Sequence, residues 1–228
     1  MDSIKTKDYL FDQIEGLIHY PWVGEHYYNQ KYRILIVGDS HYTVDDDGNY
    51  CEEEYYRCVN DKEYTRGIVN CARSKEPWNM FKGLYSLFDL SDELIDHNLW
   101  SKISFINFIQ EPMRQRSAVP TDTDFKQAWF CLLDLIDILQ PQICLFIGIR
   151  GWRGNGYINN EKRGTCVLKD DTVRISNCTP WIATIETLNG NKTKAIAIHH
   201  TSQGFSPDKW REYLQFRCPE LMQTVMGV

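Results

Sequence analysis

No stretch of this 228-residue chain approaches the roughly 20 consecutive apolar residues of a membrane-spanning helix, so a membrane partner is not expected. An excess of positive charge is missing too: 25 Lys and Arg stand against 31 Asp and Glu, a formal charge of −6. Proteins that grip long nucleic acids through phosphate contacts normally carry a basic surface. The balance excludes a broad duplex-wrapping face, but it does not speak against a small local basic cleft. The eight cysteines form no C-x-x-C pair, which leaves a zinc ribbon or redox dithiol without support. Cys51, Cys58 and Cys71 are the only loose cluster where a metal or iron–sulfur site could gather, and no cofactor is expected. The opening residues MDSIKTKDYLFDQ contain no apolar signal-peptide core, so a cytoplasmic location is expected. Internal repeats, low-complexity tracts and Pro/Ser-rich linkers are all lacking, and one domain spanning residues 1–228 is the simplest organisation.

What is present suits a globular fold, with 43% apolar and 13% aromatic residues. An amphipathic pattern in KDYLFDQIEGLIHY predicts a helix in the first thirty residues, stopped by Pro21. YRILIVG follows, continuously apolar and β-branched, as strands buried on both faces tend to be. Residues 45–75 are polar, acidic and aromatic, and read as a long insertion or loop, in part helical. Their acidic run Asp45–Asp47 reads as a solvated turn. PWNMFKGLYSLFDL is helical, with Pro77 near its first turn.

KISFINFIQ, residues 102–110, is a second strand. TDTDFKQAWFCLLDLIDILQP is the clearest helix, with Thr121 or Thr123 as cap and Pro141 at its end. QICLFIG is a third buried strand, and Cys131 and Cys144 read as core residues. WIATIETLNGNKTKAIAIHH is an antiparallel pair turning at Asn189-Gly190. SPDKWREYLQFRCPELM is a terminal helix with Ser206 as cap and Pro207 in its first turn. Strands separated by helices imply a three-layer α/β/α fold around a mainly parallel sheet. Ligands of such sheets bind at the carboxyl ends of the strands. Four ends here carry polar clusters: GDSHY, NFIQ, GIRGW and HHTSQG.

The segment ILIVGDSHYTV, residues 34–44, admits two enzymatic readings. Strand-then-GDS resembles the opening block of GDSL-type esterases, with Ser40 as nucleophile. That chemistry needs a histidine base oriented by an acid, and the family's late D-x-x-H is absent, since no Asp stands three residues before His199 or His200. The second reading uses all four ends in order. The series VGDSHY, ISFINFIQ, ICLFIGIRGW and IAIHHTSQG resembles the uracil-DNA glycosylase superfamily over roughly residues 32–212, particularly its divergent members.

That resemblance implies a uracil-DNA glycosylase-like fold and a DNA-repair type of hydrolase that cleaves the N-glycosidic bond of a base. It places Gly38 on the first motif's glycine and Tyr42 on the tyrosine walling a pyrimidine's C5 edge. Asn107 falls on the base-reading asparagine. His200 falls on the histidine that steadies the departing base, and Ser202 on the serine of the phosphate-gripping loop. Asp39 stands where some branches carry a water-orienting acid. Ser40 and His41 stand where the best-studied branch has Asp and Pro, and Thr201 replaces the proline of the last motif.

The residues themselves favour a ligand site. Breaking an N-glycosidic bond puts cationic character on the sugar and negative charge on the base, which a carboxylate and a hydrogen-bond donor stabilise. Asp39 and His200 are therefore the catalytic candidates. Gly38, Ser40, His41, Tyr42, Asn107, Gln110, Thr201 and Ser202 are the candidates for binding the substrate, a nucleic acid or nucleotide. Asn107 interrupts an apolar strand, where an unpaired amide costs roughly 1–3 kcal/mol, so it should meet a partner. Arg150, Trp152 and Arg153 are candidates for phosphate contact or base stacking. A binding module that keeps the fold without catalysis stands as the alternative from another class.

Overall fold

The computed structural model describes residues 2–227 except 46, 74–76, 170–172 and 203. Seven strands form one sheet: β1 (Trp22–Val23), β2 (Ile34–Tyr42), β3 (Ile103–Met113), β4 (Ile143–Ile147), β5 (Gly164–Lys169), β6 (Trp181–Thr187) and β7 (Lys192–Ile198). Their order is β1-β3-β2-β4-β7-β6-β5. The central four, β3-β2-β4-β7, are parallel, whereas β1, β6 and β5 join antiparallel at the two sides.

Two hydrophobic layers follow from strand alternation. Ile34 and Ile36 of β2, Phe105 of β3, Leu145 of β4 and Ile196 of β7 face one layer. It is covered by α3 (Tyr64–Ala72), α4 (Asn79–Leu87), α7 (Pro207–Arg217) and α8 (Pro219–Met226) through Val69, Phe81, Trp210, Leu214 and Leu221. Leu35, Val37, Phe108, Phe146 and Ala197 face the other. There α5 (Asp122–Leu139) and α6 (Gly156–Asn160) contribute Trp129, Leu132, Ile136 and Ile158. The chain is thus an α/β protein with helices on both faces of the sheet.

α5 begins as its sequence dictates. Thr121 accepts from the Asp124 backbone N–H while the Asp124 carboxylate accepts from the Thr121 N–H, and Gln140 closes the helix in a left-handed conformation. Such a cap stabilises a helix by about 1 kcal/mol. The β6–β7 turn passes through Gly190 at φ +81°, and the Asp137 carboxylate accepts from Asn189 and Asn191 beside it.

The structure corrects three expectations. The N-terminal helix is one turn, α1 (Asp8–Phe11), and the chain continues in tight turns to Gly16 (φ +79°). Tertiary bonds then hold it: Gln127 Nε2 and Cys131 Sγ both donate to the Glu15 carbonyl. Residues 45–73 are largely helical, where the sequence suggested an insertion only in part helical. A bridge between Val44 and Tyr50 leads into α2 (Glu52–Asn60) and then α3. The terminal helix is two helices, broken at Cys218 (φ −148°, ψ 62°), where Pro219 starts the second. Ser206 precedes α7 without a side-chain capping bond. Among the described residues, no helix is long and apolar enough to cross a membrane.

Candidate functional site

The strand order turns at β2. The chain leaves β2 for β3 on one side and returns through α5 to β4 on the other. A crevice at the carboxyl ends follows from that reversal. β2 also outruns its neighbour: its pairing with β4 stops at Val37, while pairing with β3 continues to Tyr42. The overhanging residues 39–42 form the floor of a cleft of about 950 Å³. Asn107 of β3 and His200 and Ser202 beyond β7 join them. The opposite wall is built by the 45–73 segment, with Glu54 and Arg57 from α2 and Tyr64 from α3, and Trp78 stands half exposed at its edge.

Asn107 is 5% exposed and lies opposite Gly38 in the β2–β3 register. Glycine at position 38 makes room for it, since a β-carbon there would stand 2.1 Å from Asn107 Oδ1. Asn107 Nδ2 donates to His41 Nδ1 at 3.1 Å. An amide nitrogen only donates, so His41 Nδ1 is the unprotonated nitrogen and Nε2–H donates to Thr65 Oγ1 at 2.9 Å. His41 and Thr65 are both buried. Asn107 Oδ1 has no hydrogen-bond partner, and neither has Asp39 Oδ1.

His200 has the same tautomer for an independent reason. Its Nδ1 accepts from the Ser202 backbone N–H at 3.3 Å, with Ser202 Oγ at 2.8 Å. The proton therefore sits on Nε2. Burial lowers the His200 pKa, with nearby Asp39 opposing the shift, so the ring is neutral near pH 7. Burial likewise raises the Asp39 carboxyl above its ordinary value, and the electrostatic influence of His200 and Arg150 pulls it back in part. A carboxyl with a raised pKa and a neutral imidazole with its proton on Nε2 thus line the same cleft.

A third histidine, His19, backs His41. His19 is 1% exposed and its Nε2–H donates to the Cys58 carbonyl at 2.9 Å, leaving Nδ1 without a partner. The His19 and Tyr64 rings meet the His41 ring edge-on, each with centroids 4.9 Å away. Burial and then His19 drive the His41 pKa well below its ordinary value.

The cleft therefore gathers Asp39, Ser40, His41, Tyr42, Asn107, His200 and Ser202. Gly38 serves it from below. Two candidates for substrate binding belong elsewhere. Gln110 is committed to the fold: Oε1 accepts from the Ile18 and His19 backbone N–H groups, and Nε2 donates to the Asn107 carbonyl. Thr201 is 1% exposed and docks its loop on α4, donating from Oγ1 to the Met80 carbonyl, with its own carbonyl packed where Gly83 lacks a side chain. Trp152 is also no stacking platform, being 5% exposed among Trp129, Phe146 and Trp181. The Arg153 carbonyl accepts from Trp129 Nε1. Arg150 is exposed, and its charge acts on Asp39. Asp45 caps a turn at the rim, accepting from the Asn49 N–H at 2.8 Å, and Asp46 lies outside the described residues.

Ser40 has no hydrogen bond to an imidazole among the described residues, because His41 and His200 spend Nδ1 on Asn107 and Ser202. That arrangement does not activate a serine nucleophile. No group of three His, Cys, Asp or Glu among the described residues is placed to hold a metal ion. Glu54, Arg57, Tyr64, Thr65 and His19 were not legible as site residues. Only the acidic, aromatic composition of 45–75 hinted at a functional wall. No family model matches the chain, and no curated protein matches it in sequence.

Proposed function

We propose that the cleft binds a nucleobase and that the protein hydrolyses its N-glycosidic bond, in a nucleic acid or a nucleotide, on a uracil-DNA glycosylase-like fold. The observation that carries the reading is the pairing of Asp39 with His200 in one cleft. One is a half-buried carboxylate with a raised pKa, the other a neutral imidazole whose Nε2 bears the proton. Asp39 orients a water and takes its proton as the oxygen bonds to the anomeric carbon. The C–N bond electrons leave with the base. His200 Nε2–H steadies the charge that develops on the base oxygen, where a preorganised donor matters most. Asn107 holds the base, and Tyr42 borders it. The ordered likeness of the four strand ends to that superfamily supports the same assignment.

Carboxylates at Asp45, Glu54 and Asp61 share the lining with Arg57 and Arg116. This charge, with the overall −6, favours a short or single-nucleotide substrate over a duplex, whose phosphates it would repel. It is also the observation that favours the second reading, a module that holds such a ligand without cleaving it. Chromatographic detection of free base from oligonucleotides and nucleotides containing uracil, hypoxanthine or modified cytosine tests the two. Base release that falls about 100-fold or more in Asp39→Asn supports hydrolysis. Ligand binding with no release from any substrate overturns it in favour of the module.

A further inference from the structure

We propose that His41 is a positioning residue that fixes the Asn107 carboxamide in its working orientation, and that Thr65 of α3 fixes His41 in turn. The role deepens the hydrolase reading and rests on it. Three contacts specify one arrangement. Asn107 Oδ1 lies against the Cα of Gly38, where a C–H group meets an oxygen favourably and an NH2 group unfavourably. Asn107 Nδ2 donates to His41 Nδ1 at 3.1 Å. Reversing the amide would set its oxygen against the lone pair of that nitrogen.

His41 does not choose the arrangement by itself, since the Thr65 hydroxyl 2.9 Å from Nε2 accepts from it or donates to it; the oxygen set against Gly38 makes the choice, and Thr65 anchors the ring. Nor is its ring free to turn, since His19 and Tyr64 press on it at 81° and 89°. One Nδ2 hydrogen of Asn107 remains uncommitted to the protein. Thr65 is 0% exposed on a helix face that otherwise packs apolar side chains such as Val69. A valine would fill the same volume there, so the hydroxyl is explained by His41. Through this chain the wall of the cleft sets the orientation of a group on its floor.

The test measures base release by the wild type and by Thr65→Val, Thr65→Ser, His41→Leu and His41→Asn, with melting curves to verify folding. Asparagine at 41 retains an acceptor near the place of Nδ1, and serine at 65 retains the hydroxyl. The expected result is a fall in kcat of up to about 100-fold in Thr65→Val and His41→Leu, the size that misplacement of a positioned group produces. Thr65→Ser and His41→Asn should recover most of it. The 15N spectrum of the wild-type imidazoles should show His41 protonated on Nε2 and not on Nδ1, a readout that needs no substrate. Wild-type base release with equal kcat in the paired variants, or a proton on Nδ1, overturns the positioning role alone. Absence of base release by the wild type overturns the hydrolase reading, and this role with it.

Discussion

Asn107 lies across Gly38 so closely that a β-carbon on the glycine would stand 2.1 Å from Asn107 Oδ1 and 3.1 Å from Phe105 Cζ. The glycine is required by space, since its φ is not among the positive values of the chain. The Asn107 amide has no slack either, being bonded to His41 and buried in β3.

Gly38→Ala should therefore destabilise the protein by about 1–3 kcal/mol, the usual cost of overpacking a filled site. Urea unfolding measures it. A loss below about 0.5 kcal/mol would show that the amide does not pack against the glycine.

Asp39→Asn should raise the thermal midpoint near pH 7 while abolishing base release. Burial raises the Asp39 pKa, so the folded state prefers the protonated carboxyl and bears a penalty wherever the group is charged. Asparagine removes that penalty. The difference between variant and wild type should shrink as pH falls through the raised Asp39 pKa, where the wild-type carboxyl takes up its proton. A variant less stable than wild type at pH 7 contradicts the electrostatic account.

Acid should weaken the fold through the histidine pair. Burial holds both His41 and His19 below their ordinary value of about 6.5. The unfolded chain then takes up the protons first. The stability these rings contribute is complete above pH about 6.5 and is lost progressively below it. Among the described residues, the groups facing them are each other and Tyr64, with Thr65 and Asn107 for His41, and Cys58, Asp61 and Glu111 for His19. Thermal midpoints between pH 7.5 and 5.5 should fall less steeply in His41→Asn. Equal slopes would assign the acid sensitivity to other groups.

Gln110→Leu preserves volume but strands the Ile18 and His19 amides, for which roughly 1–3 kcal/mol each is the ordinary cost of a buried unmet donor. Hydrogen exchange should show those two amides opening before the sheet does. Should Ile18 and His19 exchange as slowly as in the wild type, Gln110 does not hold them.

The apolar strands and α5 were legible because their signals are local: continuous β-branched runs, a Thr-Asp cap and a proline stop. The edge strands were less so. β1 is two residues long and β5 exposes Thr165, Val167, Leu168 and Lys169, so neither shows a clean pattern of burial. The N-terminal helix is shorter than its pattern because helical spacing persists across Gly16, whereas distant Gln127 and Gln110 hold the backbone there in turns. Within the site, Asp39 and Asn107 stood out as polar residues ending apolar runs. Gln110 looked identical to Asn107 by that criterion, and only its partners in space distinguish it. Thr65 and His19 carry no sequence signal at all, since each matters only by meeting His41 across the fold.

The overhang of β2 beyond β4 divides one strand into two regimes of constraint. Up to Val37 every side chain is wedged between neighbours on both flanks, and substitution is policed by volume. From Asp39 to Tyr42 the strand keeps its rail on β3 but has no paired strand on the other flank among the described residues, and of these four only His41 is locked in by side-chain neighbours. Exchanges there, on a scaffold that stays put, are the shortest route by which descendants of this chain would acquire a different ligand.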